Sequence, residues 1–367
     1  MCRAGVTMDK GELERRVREG EFFDGADLGG LDLSGADLRG ACFANTSFRS
    51  ANLARVNLRE ATLSRCDLAN ATLEGARLRH GVALGTRFTM AKLGRAELCA
   101  VNWSECDLTA ADLAGAELVL ANLTKCCLDE AVVTGADLDR ASLFECTLKG
   151  ADLSATNLRR TVLFRADLRS VALEGARFES TVLTEANLAG RSFAGADLLM
   201  TQFIDANVEG CGFERARLIQ ANFKGANLKG ARMAGVEAKN AVFIKARLEG
   251  VDFRASNLFQ ALFVDGGASG ACFDGCNLEQ SIWHGAQCAG ATFRGSSLTY
   301  ADFSNASLEQ ADFSGASMFR ARLHRVKDDG AKYPFGRAGA LGDDVDLAEA
   351  ELWWEKHRKL WKGGGDA

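Results

Sequence analysis

The chain has 367 residues, of which 47% are hydrophobic and 25% charged, and a formal net charge of −5. An ordinary globular reading of that length allows two or three domains. No apolar run reaches transmembrane length, and no basic block interleaved with aromatics points to direct nucleic-acid binding.

Met1–Gly20 lacks the apolar core of a signal peptide, and Cys2 lacks the apolar stretch that a lipoprotein site needs. Residues 8–20 predict a short amphipathic helix ending at Gly20, with Leu13 and Val17 as an i, i+4 pair. From Phe23 onward the large apolar position falls on numbers ending in 3 or 8, and the small position on numbers ending in 1 or 6. The register reaches Leu323 without an insertion or deletion, giving 61 consecutive pentapeptides. In an α-helix five residues advance about 500°, so such positions would spiral round every side. In a straight strand an odd period flips the side chain at each repeat. A chain that turns a corner every five residues points all of them at one axis, so the unit is a coil of a solenoid. Its open ends would expose core and strand edges, and the N-terminal helix is expected to cap the first coil.

From Phe203 to Phe313 the aromatic centres recur every ten residues, with Met233 filling one slot, while smaller centres such as Leu218, Leu248 and Leu298 fall between them. That alternation places aromatics on two opposite walls of a four-sided coil. At four pentapeptides per coil the repeats give about 15 coils, a rod of roughly 70 Å at ~4.8 Å per coil. Three places break the pattern: Ala83 with its neighbour Leu84, Arg191 as a base at a small inward position, and the bare run Gly266-Gly267-Ala268. An unpaired guanidinium cannot be buried, so the coil is expected to open at Arg191 and form a notch or partner contact. The glycine run is expected to leave a dent or a void.

Six of the twelve cysteines (Cys66, Cys106, Cys126, Cys146, Cys211 and Cys276) take the small inward position as compact apolar fillers, and the first four should stack on one face. Reduced thiols suit a cytosolic setting. Pro334, the only proline, and several glycines mark 327–342 as a linker. Asp343 to Lys362 then reads as a helix with acidic residues at its start and bases at its end. Leu347, Ala350, Trp354 and Trp361 form one stripe, flanked by Trp353 and Leu360. So much aromatic surface either folds back over the last coil as a cap or docks into another chain.

The recurring cores Ala36-Asp37-Leu38, Ala151-Asp152-Leu153 and Ala226-Asn227-Leu228 carry a family resemblance. Over more than four-fifths of its length the chain resembles pentapeptide-repeat proteins. The resemblance implies an all-β solenoid: a right-handed four-sided parallel β-helix with short helices at both ends. The expected organisation is a capping helix in 1–20, the β-helix in 21–326, the linker in 327–342, the Trp-rich helix in 343–362 and a tail in 363–367.

No catalytic, cofactor or metal site is expected. Cys272, Cys276, His284 and Cys288 have zinc-like spacing, but the register sends them to different sides of the coil. The four histidines are scattered, and the Asp or Asn before each centre recurs too regularly to be catalytic; its expected role is a hydrogen bond to backbone at the corner. Some members of the family resemble duplex DNA and bind type II topoisomerases. A rod of that length would need about 40 net negative charges to match a duplex, whereas residues 21–326 hold 32 basic against 36 acidic side chains. The helical ends also look similar to members linked to type VI secretion, which implies an accessory or effector role and export. The leading expectation is a bacterial, cytoplasmic, non-enzymatic scaffold or adaptor with neither nucleic acid nor membrane as partner. It would bind protein through Leu347, Trp353, Trp354, Leu360, Trp361 and Arg191, with a homodimer through the C-terminal helix as one option.

Overall fold

The computed structural model describes residues 8–361. The chain forms two compact units, one of residues up to Ala189 with Asp197–Asn207, the other of Gly190–Ala196 with Val208 onward. Both are four-sided parallel β-solenoids in which each residue pairs with the one twenty positions on, as in Asp32↔Asn52 and Val242↔Leu262. Four pentapeptides therefore complete a coil.

The corner itself has a backbone cause that the repeat pattern does not reveal. From Gly20 to Gly330 every residue numbered in 0 or 5 except Ser170 sits in the left-handed region, with φ of +57° at Arg55, +60° at Leu120 and +65° at Gly210. One such residue per pentapeptide breaks the strand and turns the chain. The Asp or Asn before each centre then secures the turn: Asp67 Oδ1 accepts a hydrogen bond from the Ala69 amide at 3.0 Å, and Asp112 does the same for Ala114 at 2.9 Å. Between corners the backbone is paired to the coils on either side, for instance Leu53 N to Thr72 O at 2.7 Å and Thr72 N to Ala51 O at 3.0 Å.

In the first unit the helix α1 (Lys10–Arg18) is capped by Asp9, whose carboxylate accepts from the Glu12 amide. Leu13 and Val17 are buried, and Glu14 Oε1 accepts from the Asp37 amide, so α1 lies on the first coils. One wall forms a regular seven-stranded sheet, β1 (Phe22–Asp24), β2 (Cys42–Ala44), β3 (Thr62–Ser64), β4 (Val82–Leu84), β5 (Asn102–Ser104), β6 (Asn122–Thr124) and β7 (Ser142–Phe144). The other walls are single bridges separated by turns. Inside, Thr46, Cys66, Thr86, Cys106, Cys126 and Cys146 share one column and are all buried. Thr46 donates to Ala44 O in its own coil, and the other five donate to carbonyls of the preceding coil, as Thr86 Oγ1 does to Leu63 O at 2.9 Å and Cys146 Sγ to Leu123 O at 3.4 Å. Burial pushes the Cys66 thiol up to about 11, so it stays protonated and inert.

The second unit is built on aromatic columns. Phe243, Phe263 and Trp283 stack at centroid separations of 4.9 and 3.9 Å, and Phe253 and Phe273 stack at 5.0 Å on the opposite wall. Across the axis the walls meet edge to face, at 6.2 Å for Phe253 and Phe263. Each buried ring contributes about 1.5–3 kcal/mol by transfer from water, and each oriented pair about 0.5–1.5 kcal/mol more.

The three irregular positions are resolved differently. Ala83 is buried in register between Leu63 and Trp103. The run Gly266-Gly267-Ala268 keeps ordinary ladder spacing, with Gly267 N to Ala246 O at 2.9 Å and Ala268 N to Gln287 O at 2.7 Å, and Gly266 and Ala268 are buried. Arg191 keeps its place in the ladder, its carbonyl accepting from the Gly212 amide at 2.9 Å, and is half-buried. The stretch read as a linker carries ladder pairing: Lys327 pairs with Ser307, Lys332 with Asp312 and Leu341 with Arg322. Tyr333 stacks on Phe313 at 5.2 Å, and its burial pushes the phenol up to about 12. Glycine and proline mark a short 3₁₀ turn at Pro334–Gly336 within that last coil, and they do not free it from the stack.

Candidate partner-binding site

The helix α2 (Val345–Trp361) follows the last coil after three residues. Asp344 caps it, its carboxylate accepting from the Leu347 amide at 3.0 Å. At 1.5 Å per residue α2 spans about 25 Å. Its attachment is polar. Arg325 donates to Glu351 Oε2 at 2.7 Å and, through its amide, to Asp343 Oδ1 at 2.6 Å. His324, only 3% exposed, accepts from the Asp344 amide through Nδ1, and its Nε2 lies 3.4 Å from Glu351.

The half-buried positions Ala348 and Glu351 mark the edge of α2 that meets the coil. The apolar stripe points elsewhere: Leu347 and Ala350 are exposed, and Trp353 and Trp354 show 57% and 52% of their surface to solvent. The side chains of Leu360 and Trp361 lie outside the described residues. Trp353 stacks on His357 one turn later, at 4.5 Å, which stiffens the ring without covering it.

The wall of the last coils carries a groove of about 410 Å³ lined by Gln280, Ile282, Tyr300, Asp302, Arg320, Arg322 and Leu341. Tyr300 and Phe319 meet edge to face at 6.0 Å and both are about half exposed. These residues were not among the sequence candidates. Reading outward positions in steps of twenty would have found them, since Gln280, Tyr300 and Arg320 form one corner column. Arg191 belongs to the same unit but sits more than four coils from the nearest groove residue, about 20 Å along the stack. It is therefore no part of this site.

Arg325 holds the Glu351 carboxyl below its ordinary value of 4.5. A depressed carboxyl contributes to attachment in full above that value and loses the contribution as pH falls through the folded one. Tryptophan emission followed from neutral pH into acid is expected to show a step below about pH 4.5 that Glu351→Gln removes. An identical titration in the variant would mean that this ion pair does not hold α2.

Among the described residues no cluster of three His, Cys, Asp or Glu side chains could hold a metal ion. Cys276 and Cys288 are buried, Cys272 is half-buried and His284 is exposed. No helix among them is long and apolar enough to cross a membrane.

The family description "Pentapeptide repeats" matches in successive copies between residues 23 and 327. Among solved structures, a trypsin-treated form of QnrB1, a plasmid-mediated fluoroquinolone resistance protein, is 23% identical over 56% of this chain and 95% of its own, with a TM-score of 0.30. HetL, a pentapeptide repeat protein involved in heterocyst differentiation regulation in the cyanobacterium Nostoc sp. strain PCC 7120, is 26% identical over 83% of this chain and 97% of its own, with a TM-score of 0.16. Rfr23 from the cyanobacterium Cyanothece 51142 is 33% identical over 29% of this chain and 62% of its own, with a TM-score of 0.12. By sequence, no curated protein is significantly similar to it.

Proposed function

Because the chain belongs to the pentapeptide-repeat family, we propose that it is a non-enzymatic scaffold that holds a protein partner at its C-terminal end. The observation that carries this reading is α2, tied to the last coil by Arg325 and His324 while Trp353 and Trp354 stay in solvent. Exposed tryptophans on a rigid support are the side chains that dominate protein interfaces, because they bury a large area at little cost in conformational entropy. The neighbouring groove with Tyr300 and Ile282 extends the contact area.

The charge pattern supports this reading over mimicry of DNA. Outward acids are matched by bases on the same walls, as in Arg49–Asp67–Arg87, Arg59–Glu97 and Arg294–Asp312. A duplex mimic needs an unbroken acidic stripe. The secretion-linked alternative rests on the family likeness alone.

The test is Trp353→Ala combined with Trp354→Ala in the full chain. Affinity capture from the source organism is expected to lose its specific partner, while the circular dichroism spectrum and melting temperature hold. Unchanged capture would remove α2 as the anchor. Loss of the melting transition would make α2 a cap instead.

A further inference from the structure

The sheet wall of the first unit differs from the other three in one respect. From Cys42 to Ile204 every outward position on it, the numbers ending in 2 and 4 within each twenty-residue coil, holds an uncharged side chain: Ser, Thr, Asn, Gln, Ala, Cys, Val, Leu, Ile or Phe. In the same coils the wall on one side carries Asp67, Arg87 and Asp107, and the wall on the other carries Arg77, Glu97 and Glu117. The neutral wall is also apolar at intervals, with Val82, Leu84 and Phe144 exposed and Phe144 stacked on Phe164 at 5.0 Å. All of these residues lie in a single compact unit.

A neutral wall can be covered without stranding a charge away from water. It also suits contact with itself, because near a two-fold axis a side chain meets its own copy and any charge there would meet its like. The rim shows which self-contact fits. Along the corner that closes this wall run Arg65, Gly85, Glu105, Lys125, Glu145, Arg165, Glu185 and Asp205, one per coil. Reversing this column about the point between Lys125 and Glu145 sets Lys125 against Glu145, Glu105 against Arg165 and Arg65 against Asp205. Every charged pair formed by these six residues is of opposite sign. The same reversal lays small residues against large ones on the wall, Thr124 against Phe144 and Ser104 against Phe164.

We propose that two copies of this chain associate through the sheet walls of their first units, with the coil stacks antiparallel and the two-fold axis between the coils of Lys125 and Glu145. The contact covers about 40 Å along the stack and about 15 Å across it, roughly 600 Å² per copy, with the sheets about 10 Å apart. A total of about 1,200 Å² reaches the lower bound of specific interfaces. This contact is separate from α2, which belongs to the other unit.

Sedimentation equilibrium of the full chain from about 1 to 100 µM tests it. The native protein is expected to be a dimer, and Thr124→Arg a monomer throughout with unchanged melting, since Thr124 points outward. Lys125→Glu and Glu145→Lys should each weaken the dimer by about tenfold or more, because each creates two like-charge contacts across the axis. The double swap should restore it, as only the antiparallel arrangement pairs these two positions between copies. A native monomer over the whole range overturns the proposal. So does a dimer indifferent to Thr124→Arg, a double swap that stays weak, or a dimer abolished by the Trp353→Ala and Trp354→Ala pair alone.

Discussion

Replacing Trp283 by alanine is expected to lower the unfolding free energy by about 3–5 kcal/mol, the range for large aromatic truncations in packed cores. Trp283 lies 3.9 Å from Phe263 and 5.4 Å from Phe303 in its own column, and it meets Phe273 and Phe293 edge to face at 5.0 and 5.4 Å. Its indole N–H donates to Ser281 Oγ at 2.8 Å, in a setting with no access to water. Backbone pairing above and below fixes the coil spacing, so the cavity cannot collapse and the loss should sit near the top of the range. Urea unfolding monitored by far-UV circular dichroism reads the change. A loss under 1 kcal/mol would show that the column is not a close-packed core.

The second large effect concerns the corners. Gly210 has φ +65°, its amide donates to Lys229 O at 3.0 Å, and a Cβ there would meet nothing within 4 Å. Substitutions at Gly210 therefore report backbone strain without steric clash. Alanine should cost about 1 kcal/mol, valine about 2 kcal/mol, and proline at least 3 kcal/mol, because it also removes the donor. The converse should hold at Leu120, exposed and at φ +60°. Leu120→Gly is expected to stabilise the fold by about 1 kcal/mol, against the usual penalty for glycine in regular structure. Thermal melting of the pair checks both signs, and a destabilised Leu120→Gly would mean that the corner tolerates a side chain without strain.

The interior was legible in the sequence because it depends on one variable, the residue number modulo five. Leu228 and Phe253 are buried as the register requires, and the column containing Cys106, Cys126 and Cys146 forms where steps of twenty place it. The left-handed corners were less visible. Glycine clusters at numbers ending in 0 or 5, but Arg, Glu, Lys and even Tyr300 adopt the same φ, which makes those positions look free. The pairing of 327–341 was hidden by composition, although Ala331 and Tyr333 keep the small and large positions of the register. The direction of α2 was not legible either. A stripe of Leu347, Ala350 and Trp354 argues for an apolar docking face, and only the polar contacts of Glu351 and Asp344 show which edge meets the coil.

The fixed pairing of each residue with the one twenty positions on limits how such a chain can change in length. A cut or insertion of five residues inside a unit would rotate everything after it by a quarter turn, sending charged columns onto the neutral wall and splitting the aromatic stacks. Only the gain or loss of a whole coil leaves every column aligned, so viable length variants of this protein should differ by multiples of twenty residues.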